Sequence, residues 1–284
     1  MSGTTPAPKA YILGAELREA RTRAGLTTTA LAHKLGYKTH TVILRWESGE
    51  RVPDEQRVTA FLSHVGASMT EIDRIVAMVS EAKAEPVNSV SVGASGERNQ
   101  LVALLEFERV ATRITDVSPM LVPGLLQSPD YVRAIMRRLP SHEIEARAAM
   151  RLGRRDVITR SKSPAQYTAL IGEHVLHQAI GGEAVLVDQL NLILKLAELA
   201  NVHVRIIPTA AGFTPAHVGP FVLLEFAHAK PVVHLEHHRS SVFLRDEGDV
   251  SAYLSAREDI ESEAMSPTES LGLIADVVSN RTEQ

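Results

Sequence analysis

Three short helical patterns in succession, each stopped by a glycine, constrain this chain more than any other feature. AELREARTRAG ends at Gly25, TTALAHKLG at Gly36 and THTVILRWESG at Gly49. Glycine just past a helix is the residue that turns left-handed at no steric cost. Thr27 or Thr28 serves as the cap of the second segment and Thr39 as that of the third. Pro53 and Asp54 open a fourth segment with an apolar stripe of Val58, Phe61, Leu62 and Val65. A fifth, boxed by Thr70 and Asp73, carries Ile72, Ile75, Val76 and Val79 at helical spacing. Residues 11–83 thus predict a compact all-α domain of five helices behind a flexible tail, 1–10.

Residues 84–98, AEPVNSVSVGASGER, are small, polar and punctuated by Pro and Gly, and read as a linker. Beyond it, residues 99–284 read as α+β. NQLVALLEFERVATRI is helical, SPDYVRAIMRRL begins with a helix-start signal, and a further helix covers roughly 142–160. GEAVLVDQLNLILKLAELA is apolar nearly all round, the pattern of a helix packed on two sides. QYTALIG, VHVRIIP, PFVLLEF, PVVHLEH and SVFLR read as strands of one small, mostly antiparallel sheet, with PFVLLEF and PVVHLEH forming a hairpin. Two helices close the chain; the last, SPTESLGLIADVV, has a Ser-Pro cap signal.

The 284 residues contain no cysteine, which excludes disulfides, thiolate catalysis and cysteine-ligated metals and suits a reducing cytoplasm. The start, MSGTTPAPKA, has no apolar core of the kind a secretory signal needs, and no apolar run approaches the ~18 residues that span a membrane. A formal net charge of −4 argues against coating nucleic acid through bulk charge. Locally, however, Lys9 to Arg51 holds eight Lys/Arg against four Asp/Glu.

A helix-turn-helix buries one face of its second helix and offers the other to the DNA major groove. Leu31, Ala32 and Leu35 supply the apolar face of the first motif helix, and Ile43 and Trp46 that of the second. The sole tryptophan, three residues after Ile43, is expected to be a core plug. The order GLTTTALAHKLG…RWESGERVP, over about residues 12–80, resembles the Xre/lambda-repressor-like family. Two positions depart from that family's pattern. Thr28 stands where a glutamine is usual, and Gly36 to Gly49 spans thirteen residues rather than twelve, which lengthens the turn around Tyr37 and Lys38. The resemblance, aligned back from Trp46, puts His40, Thr41 and Leu44 at the groove with Thr39 beside them. His and Thr can bond base edges, and Leu44 or Val42 can pack on a thymine methyl. Arg18, Arg21, Lys38, Arg45 and Arg51 would position the backbone, with Thr28 and Thr29 at the start of the first motif helix. A bidentate Arg, Asn or Gln is missing from the base-reading positions.

LVPGLLQSPDYVRAIM, IGEHVLHQAIGG, QLNLILKLAELANVHVRIIP, GPFVLLEF and AMSPTES, in this order over residues 99–280, resemble the C-terminal domain of a large group of actinobacterial Xre regulators common in Streptomyces. The resemblance implies a cytoplasmic, homodimeric regulator of a palindrome-like double-stranded DNA operator. Its C-terminal domain would serve oligomerisation and the sensing of a small-molecule effector or a small partner protein encoded nearby. An antitoxin-like protein that binds such a partner and represses its own operon is the alternative.

Other features have bland and sharp readings. His234, Glu236 and His238 alternate on one strand face, as metal ligands can; an exposed edge-strand face is the simpler account, and no HExxH pattern accompanies them. His174 and His177 read as surface residues. The basic run from Arg133 to Lys162 reads as a solvated helical face, with an acidic partner or flanking phosphates as the sharper alternatives. No nucleophile elbow or phosphate loop is present, so neither an enzyme nor a cofactor is expected.

Overall fold

The computed structural model describes residues 8–84, 90–92, 94–237 and 240–282. By internal contacts it divides into two units. The first runs to Phe107 and takes in described residues of 226–230 and 237–243; the second holds 108–225, 231–236 and the rest of the chain from Leu244.

In the first unit, α1 (Pro8–Arg23), α2 (Thr28–Lys34), α3 (Thr41–Glu47), α4 (Glu55–His64) and α5 (Met69–Ala84) follow the glycine punctuation. Gly25, Gly36 and Gly49 all take positive φ, between +69° and +78°. Thr27 caps α2 by accepting from the Ala30 N–H, and Asp54 caps α4 by accepting from that of Arg57. Two expected caps are corrected. Ser68, not a Thr70–Asp73 box, accepts at the start of α5 from the Glu71 N–H. At α3 the flanking residue is His40, already helical at φ −72° and ψ −13°, with no side-chain cap, so Thr39 lies one residue too early.

The core of this unit gathers Leu13, Leu17, Leu31, Ile43, Trp46, Phe61, Leu62 and Ile75. Trp46 is 2% exposed and meets Tyr37 edge-on at 5.5 Å, so it is the plug expected. The stretch read as a linker contains a short strand, β1 (Val90–Val92), and the start of α6 (Ala94–Val110); residues 85–89 and 93 lie outside the described residues. Phe107, near the end of α6, packs with Tyr11, Phe226 and Phe243.

The second unit is built on a mixed sheet. β2 (Arg113–Ser118) is followed by α7 (Pro129–Met136), α8 (Ser141–Gly153), α9 (Asp156–Thr159) and β3 (Gln166–Gly172). α10 (Glu183–Leu196) then leads to β4 (Val202–Ile207), β5 (Phe221–Glu225) and β6 (Val232–His237). β7 (Ser240–Leu244), which up to Phe243 belongs to the first unit, pairs antiparallel with β1 there, and α11 (Glu247–Glu263) and α12 (Pro267–Thr282) close the chain in the second. The order β6-β5-β2-β3-β4 has β2, β3 and β4 parallel, with β5 antiparallel to both β2 and β6. The sheet is therefore mixed: the pairings β1–β7, β5–β6 and β2–β5 are antiparallel as expected, whereas β2–β3 and β3–β4 are parallel. The helix expected to run through Ile114 ends at Val110, and RITDVS is instead an inner strand to which β3, reached through helical crossovers, runs parallel.

One face of this sheet is apolar. Val117, Leu170, Phe221, Leu223 and Val233 bury against Val250 and Ile260 of α11. Beyond β4, α12 and the chain before it cover the edge. Ile206 donates to Ser270 Oγ and accepts from the Met265 N–H, both at 2.9 Å. Arg205 donates to the carbonyls of Glu261, Ala264 and Met265, satisfying the open end of α11.

Candidate nucleic-acid interface and a buried ionic cluster

α3 is seven residues long, about two turns, and its two faces differ sharply. Ile43, Trp46 and Glu47 are buried, whereas Thr41, Leu44 and Arg45, spaced i, i+3 and i+4, face outward. Lys38, Thr39 and His40 on the preceding turn are exposed too, as are Arg51 beyond Gly49 and Thr29 on α2; Thr28 is half-buried. Leu44 is 45% exposed, a large apolar side chain on an otherwise polar row. Arg45 lies 3.6 Å from Glu50, both half exposed, a contact too weakly held to fix the guanidinium.

Arg21 behaves differently from the free phosphate-contacting side chain that was expected. Its Nε and Nη2 donate to the two carboxylate oxygens of Glu47 at 2.6 and 2.8 Å, and its Nη1 donates to the Leu26 carbonyl at 2.7 Å. Glu47 is 3% exposed, so this is a shielded bidentate pair. The bond to Glu47 raises the Arg21 pKa above its ordinary value despite the cost of burial, and the charge is fixed there. Arg18 also reaches Glu47, donating to its carbonyl at 3.3 Å. Glycines complete the join between α1 and α3. A Cβ on Gly14 would stand 2.6 Å from the Trp46 carbonyl, and one on Gly49 2.7 Å from that of Ala10. The outward face of α3 is thus carried on a helix whose inner side is bolted to α1 by charge and by close backbone approach. Only the pairing of Arg18 and Arg21, one turn apart, opposite the glutamate of RWESG hinted at this in the sequence.

Residues 12–75 match the helix-turn-helix domain, the fold of DNA-binding regulators. Residues 101–276, more than half of the sequence, match the family described as a domain of unknown function, DUF5753. The chain belongs to the DUF5753 family. Comparison with curated proteins and with solved structures gave no match. No helix among the described residues is long and apolar enough to cross a membrane.

Within the DUF5753 domain the basic run is not a single solvated face. Arg133 is held by Asp130 and Glu145, and Arg147 by Glu143, on the surface. Arg155 donates inward to the carbonyls of Leu125 and Gln127. Arg154 is buried in a bidentate pair with Glu108 at 2.6 and 2.9 Å. The Nε of Arg151 is shut off from solvent without a partner among the described residues. Amphipathic counting misplaces these arginines because α8 gives way to α9 at Arg154 and Arg155, which turns both side chains inward.

His234 is also corrected: it is 4% exposed rather than part of an open strand face, while Glu236 and His237 are exposed and His238 lies outside the described residues. Strand register explains the company it keeps. His234 pairs with Val222, Val222 with Asp116 and Asp116 with Ala169, two residues after Tyr167, so His234, Asp116 and Tyr167 share the second face of the sheet. Tyr167 Oη donates to Asp116 across 3.4 Å. Burial pushes the Asp116 carboxyl up to about 7 against the opposing pull of Arg154, and pushes the His234 imidazole down to about 4, with Arg154 adding to the fall. His174 and His177 are exposed. Among the described residues, no group of three or more His, Asp or Glu is placed to hold a metal.

Proposed function

We propose that this chain is a sequence-specific, DNA-binding transcriptional regulator of the Xre type, of actinobacterial kind, that works in the cytoplasm as a homodimer on a palindrome-like operator. The observation that carries this reading is the outward row Thr39, His40, Thr41, Leu44 and Arg45, flanked by Lys38 and Arg51, on a helix whose opposite face is locked into the core. Lys38, Arg45 and Arg51 supply phosphate contacts, and His40, Thr41 and Leu44 meet base edges and a thymine methyl. Two such helices related by a two-fold axis would fall on half-sites one DNA turn apart or a multiple of it. The DUF5753 domain binds rather than catalyses, and its role is dimerisation and the sensing of an effector or partner.

The test is fluorescence anisotropy of the full chain on DNA from upstream of its own gene and on a scrambled duplex, at low and physiological salt. A preference of ~10³-fold or more for the upstream DNA at physiological salt is expected of a specific reader. Equal binding that falls together with salt would overturn sequence-specific reading.

A further inference from the structure

The end of α7 carries two adjacent arginines whose situation contrasts with that of the other surface cations nearby. Arg133, one turn earlier, is held by Asp130 and Glu145. Arg137 and Arg138 are exposed, and neither guanidinium has an ion-pair or hydrogen-bond partner among the described residues. The helix dipole favours cations at a helix C-terminus, but it does not account for the concavity beside them. A groove of about 560 Å³ lies there, lined by Leu121, Ala134, Ile135, the two arginines and the turn 178–181. No carboxylate lines it. Leu121 follows β2, and the turn follows β3 by six residues, so the groove opens beyond the carboxyl ends of two parallel neighbours, where open sheets commonly take their ligands. It is firmly built on one side. Gly181, at φ +87°, presses so close to α7 that a Cβ there would fall 2.9 Å from the Cβ of Ala134.

We propose that this groove binds a small organic anion: one carboxylate or phosphate held by Arg137 and Arg138, and an apolar body laid on Leu121, Ile135 and Ile180. The volume is in the range of small-molecule sites, roughly 300–1,000 Å³. Guanidinium forks match the geometry of an oxyanion, and Gln178 adds an amide to the polar side. The apolar residues explain why a bare anion would be an incomplete ligand. That such a ligand is the effector rests on the regulator reading above; the binding itself does not.

Isothermal titration calorimetry of the full chain tests this with decanoate and decyl phosphate below their micelle thresholds, set against decanol, inorganic phosphate and an octaglutamate peptide. One or both amphiphilic anions should bind one to one, at least tenfold tighter than decanol or phosphate, and the tighter of the two identifies the head group. R137Q/R138Q should weaken that binding tenfold or more with an unchanged unfolding midpoint, and Ile180→Asp should weaken it independently. The proposal fails if decanol binds as well as decanoate, if R137Q/R138Q binds like the parent, if none of the ligands binds, or if octaglutamate binds while the amphiphiles do not. Calorimetric binding without operator preference would leave the site standing and remove the regulator; operator preference without ligand binding would do the reverse.

Discussion

The carboxylate of Glu47 receives both arms of the Arg21 guanidinium at 2.6 and 2.8 Å, tying the helix that faces outward to the first helix of the domain. Because Glu47 is buried, removing Arg21 leaves its shielded carboxylate with only the longer ion pair to Arg18 at 3.8 Å. Arg21→Gln is expected to lower stability by about 3–5 kcal/mol, whereas Arg21→Lys keeps the charge but loses the fork and costs less. Urea unfolding of the parent and both variants checks this; equal midpoints for all three would show the pair to be dispensable.

Close backbone approach makes a second prediction. Gly14→Ala puts a methyl 2.6 Å from the Trp46 carbonyl and should cost about 1–3 kcal/mol. Gly49→Ala adds the strain of φ +75° to a similar clash and should cost more. Gly25→Ala, at φ +69° with open space around it, isolates the backbone term and should cost the least. The ranking, read from thermal unfolding, is what counts, and Gly25 as the most damaging site would refute it.

On DNA, Arg45→Ala should weaken specific and random duplexes alike and reduce the salt slope by about 1, the signature of one lost phosphate contact. His40→Ala should leave random DNA nearly unchanged while costing about 1–3 kcal/mol on the operator. Anisotropy on both duplexes separates the two roles, and indistinguishable losses for the two variants would sink the assignment.

The second sheet face predicts a pH dependence. Asp116 has its folded pKa raised to about 7, so its contribution is fully present below the ordinary carboxylate value and is lost as pH rises towards and through 7. His234, depressed to about 4, contributes stability that is present above its ordinary value of 6.5 and is lost as pH falls through 4. Asp116→Asn should therefore gain on the parent between pH 5 and 8, by an amount on the order of 1–4 kcal/mol. Urea midpoints across that range give the answer; parallel curves for parent and variant would mean that the carboxyl titrates normally.

Much of the first unit was legible because its signals are local. Each stop needs a residue that tolerates positive φ, and the stripe through Val58, Phe61 and Leu62 repeats at helical spacing. The exposed row from Lys38 to Arg45 was legible for the same reason, once Ile43 and Trp46 fixed the buried side. Arg21 was not, because its commitment depends on Glu47, twenty-six residues away, and composition alone makes it one more cation. RITDVS was missed since no Gly or Pro separates it from α6, and a central strand flanked on both sides has no alternating pattern to announce it. His234 and Arg154 were misplaced by the same kind of ignorance. Which face of a strand is wet depends on what packs above it, and that comes from other parts of the chain.

The covering of β4 has a consequence for assembly. An uncovered outermost strand is an invitation to a second chain to continue the ladder, and many complexes form that way. Here the outward backbone groups of Ile206 are already spoken for by Ser270 and Met265, and Arg205 fastens the same connection. A second copy joining this protein from that side would first have to strip α12 away. Two copies that meet at this side without unfolding must therefore do so through side chains, and substitutions that separate them there belong on α12 and the neighbouring loops rather than on that strand.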